Sequence, residues 1–412
     1  MTAPAQRAIE AVFRIESARL IASLARLVRD VGIAEELAQD ALVAALERWP
    51  QAGVPDNPGA WLLATAKHRA IDLLRRSKRV ESKHRQLGNE LGDPVAPDLD
   101  AAIDENVGDD LLRLMFVSCH PLLSTEGRVA LTLRLLGGLT TAEIARAFLV
   151  PEPTVAQRIV RAKKTLADAR VPFEVPRGPE LAARLSSVLE VIYLVFNEGY
   201  AATAGDDWMR PALCEEALRL GRVLAGVAPD EAEVHGLVAL MEIQASRASA
   251  RIGPLGEPVL LLDQNRARWD QLLIRRGLAA LDRSEKLGGA QGQYALQATI
   301  AACHARARTP EQTDWPRIAA LYDNLGRVSP SPVVELNRAV AISMAFGPAA
   351  GLTLVDALTR EPSLERYHLL PSVRGDLLAK LGRLDEAREE FQRAASLTRN
   401  GRERKLLLER AR

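Results

Sequence analysis

Aromatic residues make up only 4% of this 412-residue chain. Core packing therefore falls to Ala, Leu and other aliphatics, and the abundance of Ala, Leu, Arg and Glu favours helices. No run of alternating Val, Ile and Thr occurs, which argues against sheets. No N-terminal apolar segment and no long apolar span is present, so a cytoplasmic chain without membrane contact is expected. The three cysteines, Cys119, Cys214 and Cys303, have neither CxxC nor zinc spacing. They read as core thiols of a reducing compartment, and no metal or cofactor is expected. The six histidines are dispersed and form no HExxH. Cys119 and His120 are adjacent, so on a helix they point apart. A Gly-rich phosphate loop followed by Lys is also missing. Catalytic residues are therefore not expected, and Glu215-Glu216 and Glu389-Glu390 read as solvated faces.

What is present is length and local charge. A chain of this size accommodates roughly two to four domains. The net charge of +1 conceals two opposed blocks. Lys67, Arg69, Arg75, Arg76, Lys78, Arg79, Lys83 and Arg85 face only Asp72 and Glu81 in the first. Glu90, Asp93, Asp98, Asp100, Asp104, Glu105, Asp109 and Asp110 follow with no Lys or Arg between Leu87 and Asp110. A basic block fits a polyanion partner. An acidic block with Gly and Pro fits a flexible linker.

These features predict an all-α chain: two small helical domains, at 7–80 and 109–171, separated by an acidic linker at 81–108. In the first domain, Val31-Gly-Ile33 breaks a long helix, Ala34 to Trp49 forms the next, Pro50 to Pro58 is a loop, and Gly59 to Arg79 is helical. Pro172, Pro176, Gly178 and Pro179 mark the next boundary. From 180 to 412, Pro and Gly breaks separate further helices. Gly375, Gly382, Ala387, Phe391 and Ala394 have the spacing of small and aromatic positions in a tetratricopeptide helix pair. Earlier pairs are 293–307 with 315–328, 333–346 with 349–359, and 231–247 with 262–283. This predicts an α-solenoid of TPR-like helix pairs.

Two helices stand out as candidate nucleic-acid contacts. On 61–79, Leu63, Ala66, Ala70 and Leu74 share one side, flanked by Ile71 and Leu73. Trp61, Thr65, His68, Asp72, Arg76 and Arg79 share the other, with Arg69 and Arg75 at its edges. One aromatic, one hydroxyl and several cations on a face suit phosphates and bases, although such a face can also be merely solvated. Further on, Thr140 to Phe148, the turn Leu149-Val-Pro151 and a helix opening at Glu152-Pro153 read as helix-turn-helix, Pro suiting the first turn. Val155, Ile159, Ala162 and Leu166 form the buried stripe of the second helix. Gln157, Arg161 and Lys164 lie opposite, Thr154 and Arg158 at the sides, and Lys163 is placed for phosphate.

The stretch Pro58-Gly-Ala-Trp-Leu-Leu-Ala-Thr-Ala-Lys-His-Arg-Ala-Ile-Asp-Leu-Leu-Arg-Arg76 resembles the promoter −10 helix of extracytoplasmic-function sigma factors of the sigma-70 family. Ala34 to Trp49 resembles that family's polymerase-docking helix. Thr141-Ala-Glu-Ile-Ala145 with Thr154-Val-Ala-Gln-Arg158 resembles its −35 region, but Pro151-Glu-Pro153 replaces the family's usual Ser-x-Gly turn. The resemblance implies core RNA polymerase and promoter DNA as partners. It implies polymerase contacts at Glu36, Asp40, Val43, Leu46 and Glu47. For the −10 element it implies Trp61, Thr65, His68, Arg69, Asp72, Arg75, Arg76 and Arg79, with a base flipped out near the loop 51–57. For the −35 element it implies Thr154, Gln157, Arg158, Arg161, Lys163 and Lys164.

The long C-terminal part is similar to the subgroup carrying a fused tetratricopeptide-like extension, which implies regulation of the sigma core. Tyr200, Asp207, Trp208 and Arg210, in an unusual polar turn, are candidates either for an intramolecular contact onto the sigma domains or for the cap that starts the solenoid. Two other functions compete: a helix-turn-helix operator-binding regulator with a repeat-type sensor, and a protein-binding scaffold. Residues 34–79 argue against the operator regulator, which has no use for them.

Overall fold

The computed structural model describes residues 3–85, 107–148, 150–254 and 256–412. They divide into two compact units, 1–191 and 192–412. Among the described residues, no helix is long and apolar enough to cross a membrane.

The N-terminal unit begins with α1 (Ala3–Val28), α2 (Val31–Ala52) and α3 (Pro58–Arg85), each packed on the other two. The break between α1 and α2 falls at Arg29-Asp30, not at Val31-Gly-Ile33. Arg29 has φ of 56°, and the Asp30 carboxylate accepts from Gly32 N at 2.7 Å and Ile33 N at 3.0 Å. An Asp N-cap thus starts α2 three residues earlier than apolar periodicity suggests. At the other end α2 runs through Pro50 to Ala52, where Gly53 (φ 84°) donates to Trp49 O at 2.9 Å. The loop shrinks to 53–57, and Asn57 accepts from Ala60 N at 3.0 Å at the start of α3.

The expected linker at 81–108 is shortened at both ends. Residues 81–85 continue α3, and 107–108 already belong to α4 (Val107–Ser118). The rest of that stretch lies outside the described residues. Helix α4 packs on α1, followed by α5 (Thr125–Leu135), α6 (Thr141–Phe148) and α7 (Glu152–Asp168). The buried charge Asp110, 1% exposed, pairs with Arg26 at 3.0 Å and Arg113 at 2.6 Å. Burial outweighs both guanidiniums and pushes its carboxyl up.

Helix α8 (Pro179–Tyr200) holds the division between units. Its first half belongs to the N-terminal unit, whereas the sequence reading begins the repeat region at 180. Arg184 donates to Phe116 O at 3.0 Å, and Ser187 Oγ to Cys119 O at 2.7 Å, so α8 satisfies carbonyls left over at the end of α4.

The C-terminal unit contains α9 (Pro211–Val227), α10 (Ala232–Ala245), α11 (Gln271–Lys286), α12 (Gln293–Arg306), α13 (Trp315–Val328) and α14 (Pro332–Phe346). It continues with α15 (Pro348–Leu358), α16 (Leu369–Lys380), α17 (Leu384–Leu397) and α18 (Gly401–Arg410). Each packs on its successor in the chain, the local pattern of a repeat array. The helix pairs α12–α13, α14–α15 and α16–α17 match the sequence spacing. In the last, a Cβ at Gly375 would lie 3.0 Å from the Phe391 ring, the close approach that the small-residue pattern demands. The pair expected at 231–247 and 262–283 is corrected: helix resumes only at Gln271, after short turns at Ala248–Ala250, Leu261–Asp263 and Arg266–Arg268.

The array is also tied end to end. Parallel strands β1 (Ala204–Gly205) and β2 (Arg399–Asn400) pair. The buried Asn400 amide donates to Ala202 O at 3.1 Å and Asp207 O at 2.8 Å. This two-residue pairing leaves the fold all-α, as the sequence implies.

Candidate nucleic-acid interface

In α3 the buried stripe is Leu62, Ala66 and Ala70. Leu63, Ile71 and Leu74 are half-buried, and Leu73, read as a flank of the core, is 40% exposed. His68, Arg69, Asp72, Arg75 and Arg76 are exposed, and Thr65 is half-buried. Trp61 is half-buried, its ring edge-on to buried Trp49 at 5.3 Å. That contact gives Trp61 a fixed pose rather than a free aromatic surface. Arg79 lies on α3, but its side chain is outside the described residues. His68 Nδ1 sits 2.7 Å from Ala64 O, which orients the ring along the helix.

On α2, Glu36, Asp40, Val43 and Glu47 are exposed and Leu46 is half-buried. Val43 is 51% exposed, an apolar side chain amid acids. Asp40 and Arg69 pair at 3.2 Å across α2 and α3. Both are largely exposed, so the pair contributes under about 1 kcal/mol and leaves either group available. In the loop, Val54 is 48% exposed.

Helix α6 opens with a capping box: Thr140 N donates to Glu143 Oε2 at 2.8 Å, and Glu143 N to Thr140 Oγ1 at 3.2 Å. Helix α7 buries Val155, Ile159, Ala162 and Leu166, the expected stripe. Its N-cap is Pro151, with no side-chain cap. Pro151 and Pro153 carry no N–H, and the Thr154 and Val155 amides bond Pro151 O at 2.9 and 3.4 Å, so the first turn needs no side-chain cap. Gln157, Arg161 and Lys164 are exposed, and Thr154 and Arg158 half-buried. One residue departs from its expected place. Lys163 Nζ forms an ion pair with Glu35 Oε2, while Arg134 Nε donates to Glu35 Oε1 at 2.6 Å. Glu35, on α2, is 5% exposed. It is the functional-region residue that sequence reasoning missed, because its cations come from distant helices.

The turn residues of the C-terminal unit are engaged within that unit. Tyr200 stacks on Phe196 at 5.6 Å, Arg210 pairs with Glu198 and donates to Ala204 O at 2.8 Å, and Trp208 is half-buried. Asp207 keeps an exposed side chain. Cys119, Cys214 and Cys303 are all buried and free. Burial pushes the first two thiols up to about 12, which removes them as nucleophiles.

Three family models match the chain. Residues 13–80 match sigma-70 region 2, 113–166 match sigma-70 region 4, and 184–285 match a family of unknown function, DUF6596. An uncharacterized protein of Rhizobium meliloti (strain 1021) is 44% identical over 92% of this chain and 90% of its own length. The ECF RNA polymerase sigma factor SigK of Mycobacterium ulcerans (strain Agy99) is 31% identical over 34% of this chain and 74% of its own length. SigK of Mycobacterium tuberculosis (strain ATCC 25177 / H37Ra) is 30% identical over 36% of this chain and 78% of its own length.

Proposed function

The chain belongs to the ECF RNA polymerase sigma factor family of the sigma-70 type, and we propose that α2, α3 and α7 divide that family's work among them. It is an alternative sigma factor with a C-terminal extension, and its partners are core RNA polymerase and promoter DNA. Sigma factors are not an enzyme family; the polymerase supplies the chemistry. The paired match to regions 2 and 4 carries this reading over the operator-binding regulator.

In the finer assignment, Glu36, Asp40, Val43, Leu46 and Glu47 of α2 meet the polymerase. The exposed apolar Val43 among acids supports this, since an apolar centre with a charged rim suits a protein partner. The α3 face from Trp61 to Arg76 reads the −10 element, supported by its exposed cations beside a posed Trp. Gln157, Arg161 and Lys164 of α7 face the −35 element, with Thr154 and Arg158 beside them.

The Glu35 pairing adds a conformational requirement. Promoter elements two duplex turns apart are separated by on the order of 70 Å. A side-chain ion pair holds α2 and α7 in contact. The conformation described here is therefore a closed one, which must open before both elements are engaged. The C-terminal extension regulates that sigma core.

The test is co-purification with core polymerase followed by binding of the complex to a promoter duplex. Retention on core, with loss of duplex binding when either element is scrambled, supports the assignment. Duplex binding that ignores polymerase and needs only one element would favour the operator regulator.

A further inference from the structure

Three arginines and three aromatic rings alternate inside the C-terminal unit. Arg251 Cζ lies 5.6 Å from the Trp208 ring and 3.6 Å from that of Tyr200. Arg247 Cζ lies 5.6 Å from Tyr200 and 5.7 Å from Trp269, and Arg266 Cζ 5.3 Å from Trp269. Arg251 and Arg266 are 7% and 9% exposed, while Arg247 is half-buried and reaches solvent. All six residues lie in the stretch matched by the family of unknown function.

Buried cations normally sit against carboxylates, because an uncompensated charge is expensive to desolvate. Here the hydrogen bonds go to neutral groups. Arg251 donates to Tyr200 O, and Arg247 to the Tyr200 hydroxyl and Gln244. Arg266 donates to His304 O at 2.9 Å, Ala307 O at 2.7 Å and Thr313 Oγ1 at 2.9 Å. The acid that acts on Arg266, Glu311, is itself at the surface. Burial pushes both Arg251 and Arg266 down from the usual guanidinium range, and the charge of Arg247 adds to it.

The centre of this charge also has spare hydrogen-bonding capacity. Arg247 Nε, Arg266 Nε, Trp269 Nε1 and His304 Nδ1 are buried without a hydrogen-bond partner among the described residues. An unsatisfied buried polar group costs about 1–3 kcal/mol. Three of the four are obligate donors, and Arg247 and Arg266 both act electrostatically on His304. An excess of positive charge and of unused N–H donors at one place calls for an anionic acceptor. Aromatic packing explains how the arginine stems are held, but not why the donors are left over.

We propose that the cluster centred on Arg247, with Arg266, Trp269 and His304, binds a small multivalent oxyanion, the phosphoryl or carboxylate portion of a metabolite.

The test is calorimetric titration of the full chain with sodium pyrophosphate and, in a separate arm, citrate, at ionic strength matched with chloride. Saturable one-site binding is expected, weakened at least tenfold by Arg247→Gln with the anion-free Tm and helical circular dichroism retained. His304→Gln, a smaller change, serves as the second variant should Arg247→Gln fail to fold, and is expected to weaken binding as well. Tighter pyrophosphate binding assigns a phosphoryl ligand; tighter citrate binding assigns a carboxylate. No saturable heat from either anion, or wild-type affinity in the folded variants, overturns the proposal.

Discussion

Lys163 on α7 forms an ion pair with the carboxylate of Glu35 on α2, whose other oxygen accepts from Arg134 Nε at 2.6 Å. Side-chain exposure is 22% for Lys163 and 6% for Glu35, so the pair is shielded rather than a surface contact. A lysine with the sequence position of a phosphate contact is thus occupied in the closed conformation. Glu35→Gln leaves two half-buried cations without their anion and is expected to destabilise the N-terminal unit by about 3 kcal/mol. It should also free Lys163, so that promoter-duplex affinity rises and the salt dependence steepens by about one counterion. Denaturant unfolding and binding at several salt concentrations check both effects. Unchanged stability together with an unchanged salt slope would contradict the closed-state account.

Arg161 is exposed on the face of α7 opposite the buried Val155, Ile159, Ala162 and Leu166. Arg161→Ala is expected to weaken promoter binding by about 1–3 kcal/mol and to relax selection at one position of the −35 element. A panel of single-base promoter variants measures this. Uniform weakening across the panel would make Arg161 a phosphate contact instead.

Asp40 is exposed and pairs only weakly with Arg69. Asp40→Arg is therefore expected to lower Tm little while reducing affinity for core polymerase several-fold. Undiminished co-purification with core would remove Asp40 from the interface.

Burial, reinforced by Arg247 and Arg266, lowers His304 from 6.5 to about 3. The unfolded chain takes up this proton near pH 6.5, while the folded chain resists it until about pH 3. Stability from this group is therefore complete above pH 6.5 and falls as the pH drops toward 3, by at most about 1.4 kcal/mol per pH unit. His304→Gln should flatten that dependence. Tm measured at pH 7.5 and at pH 5 for both proteins decides it, and parallel losses would show that other groups dominate.

Local features were readable in the chain. The stripe Val155, Ile159, Ala162 and Leu166 follows from helical periodicity alone, and so does the Gly375–Phe391 approach from its spacing. Errors arose where two signals compete. Leu62 and Leu63 are adjacent, and periodicity alone chose the wrong one as the deeper residue. Asp30 as N-cap outranks the apolar break at Val31-Gly-Ile33. Pro50 in the last turn of α2 does not end the helix, although Pro commonly does. The remainder is non-local. Nothing near Glu35 announces Arg134 and Lys163, and nothing near Ala204 announces Asn400. The same holds for the arginines that alternate with Tyr200, Trp208 and Trp269.

The most direct test of the central claim is run-off transcription with purified core RNA polymerase on a pooled promoter library, with and without the full chain. The account predicts specific transcripts that depend on the protein, with start sites sharing a −10 and a −35 element, and more of them from Glu35→Gln wherever opening limits the rate. Absence of any specific transcript from either protein, with folding intact and no binding to core, would contradict it.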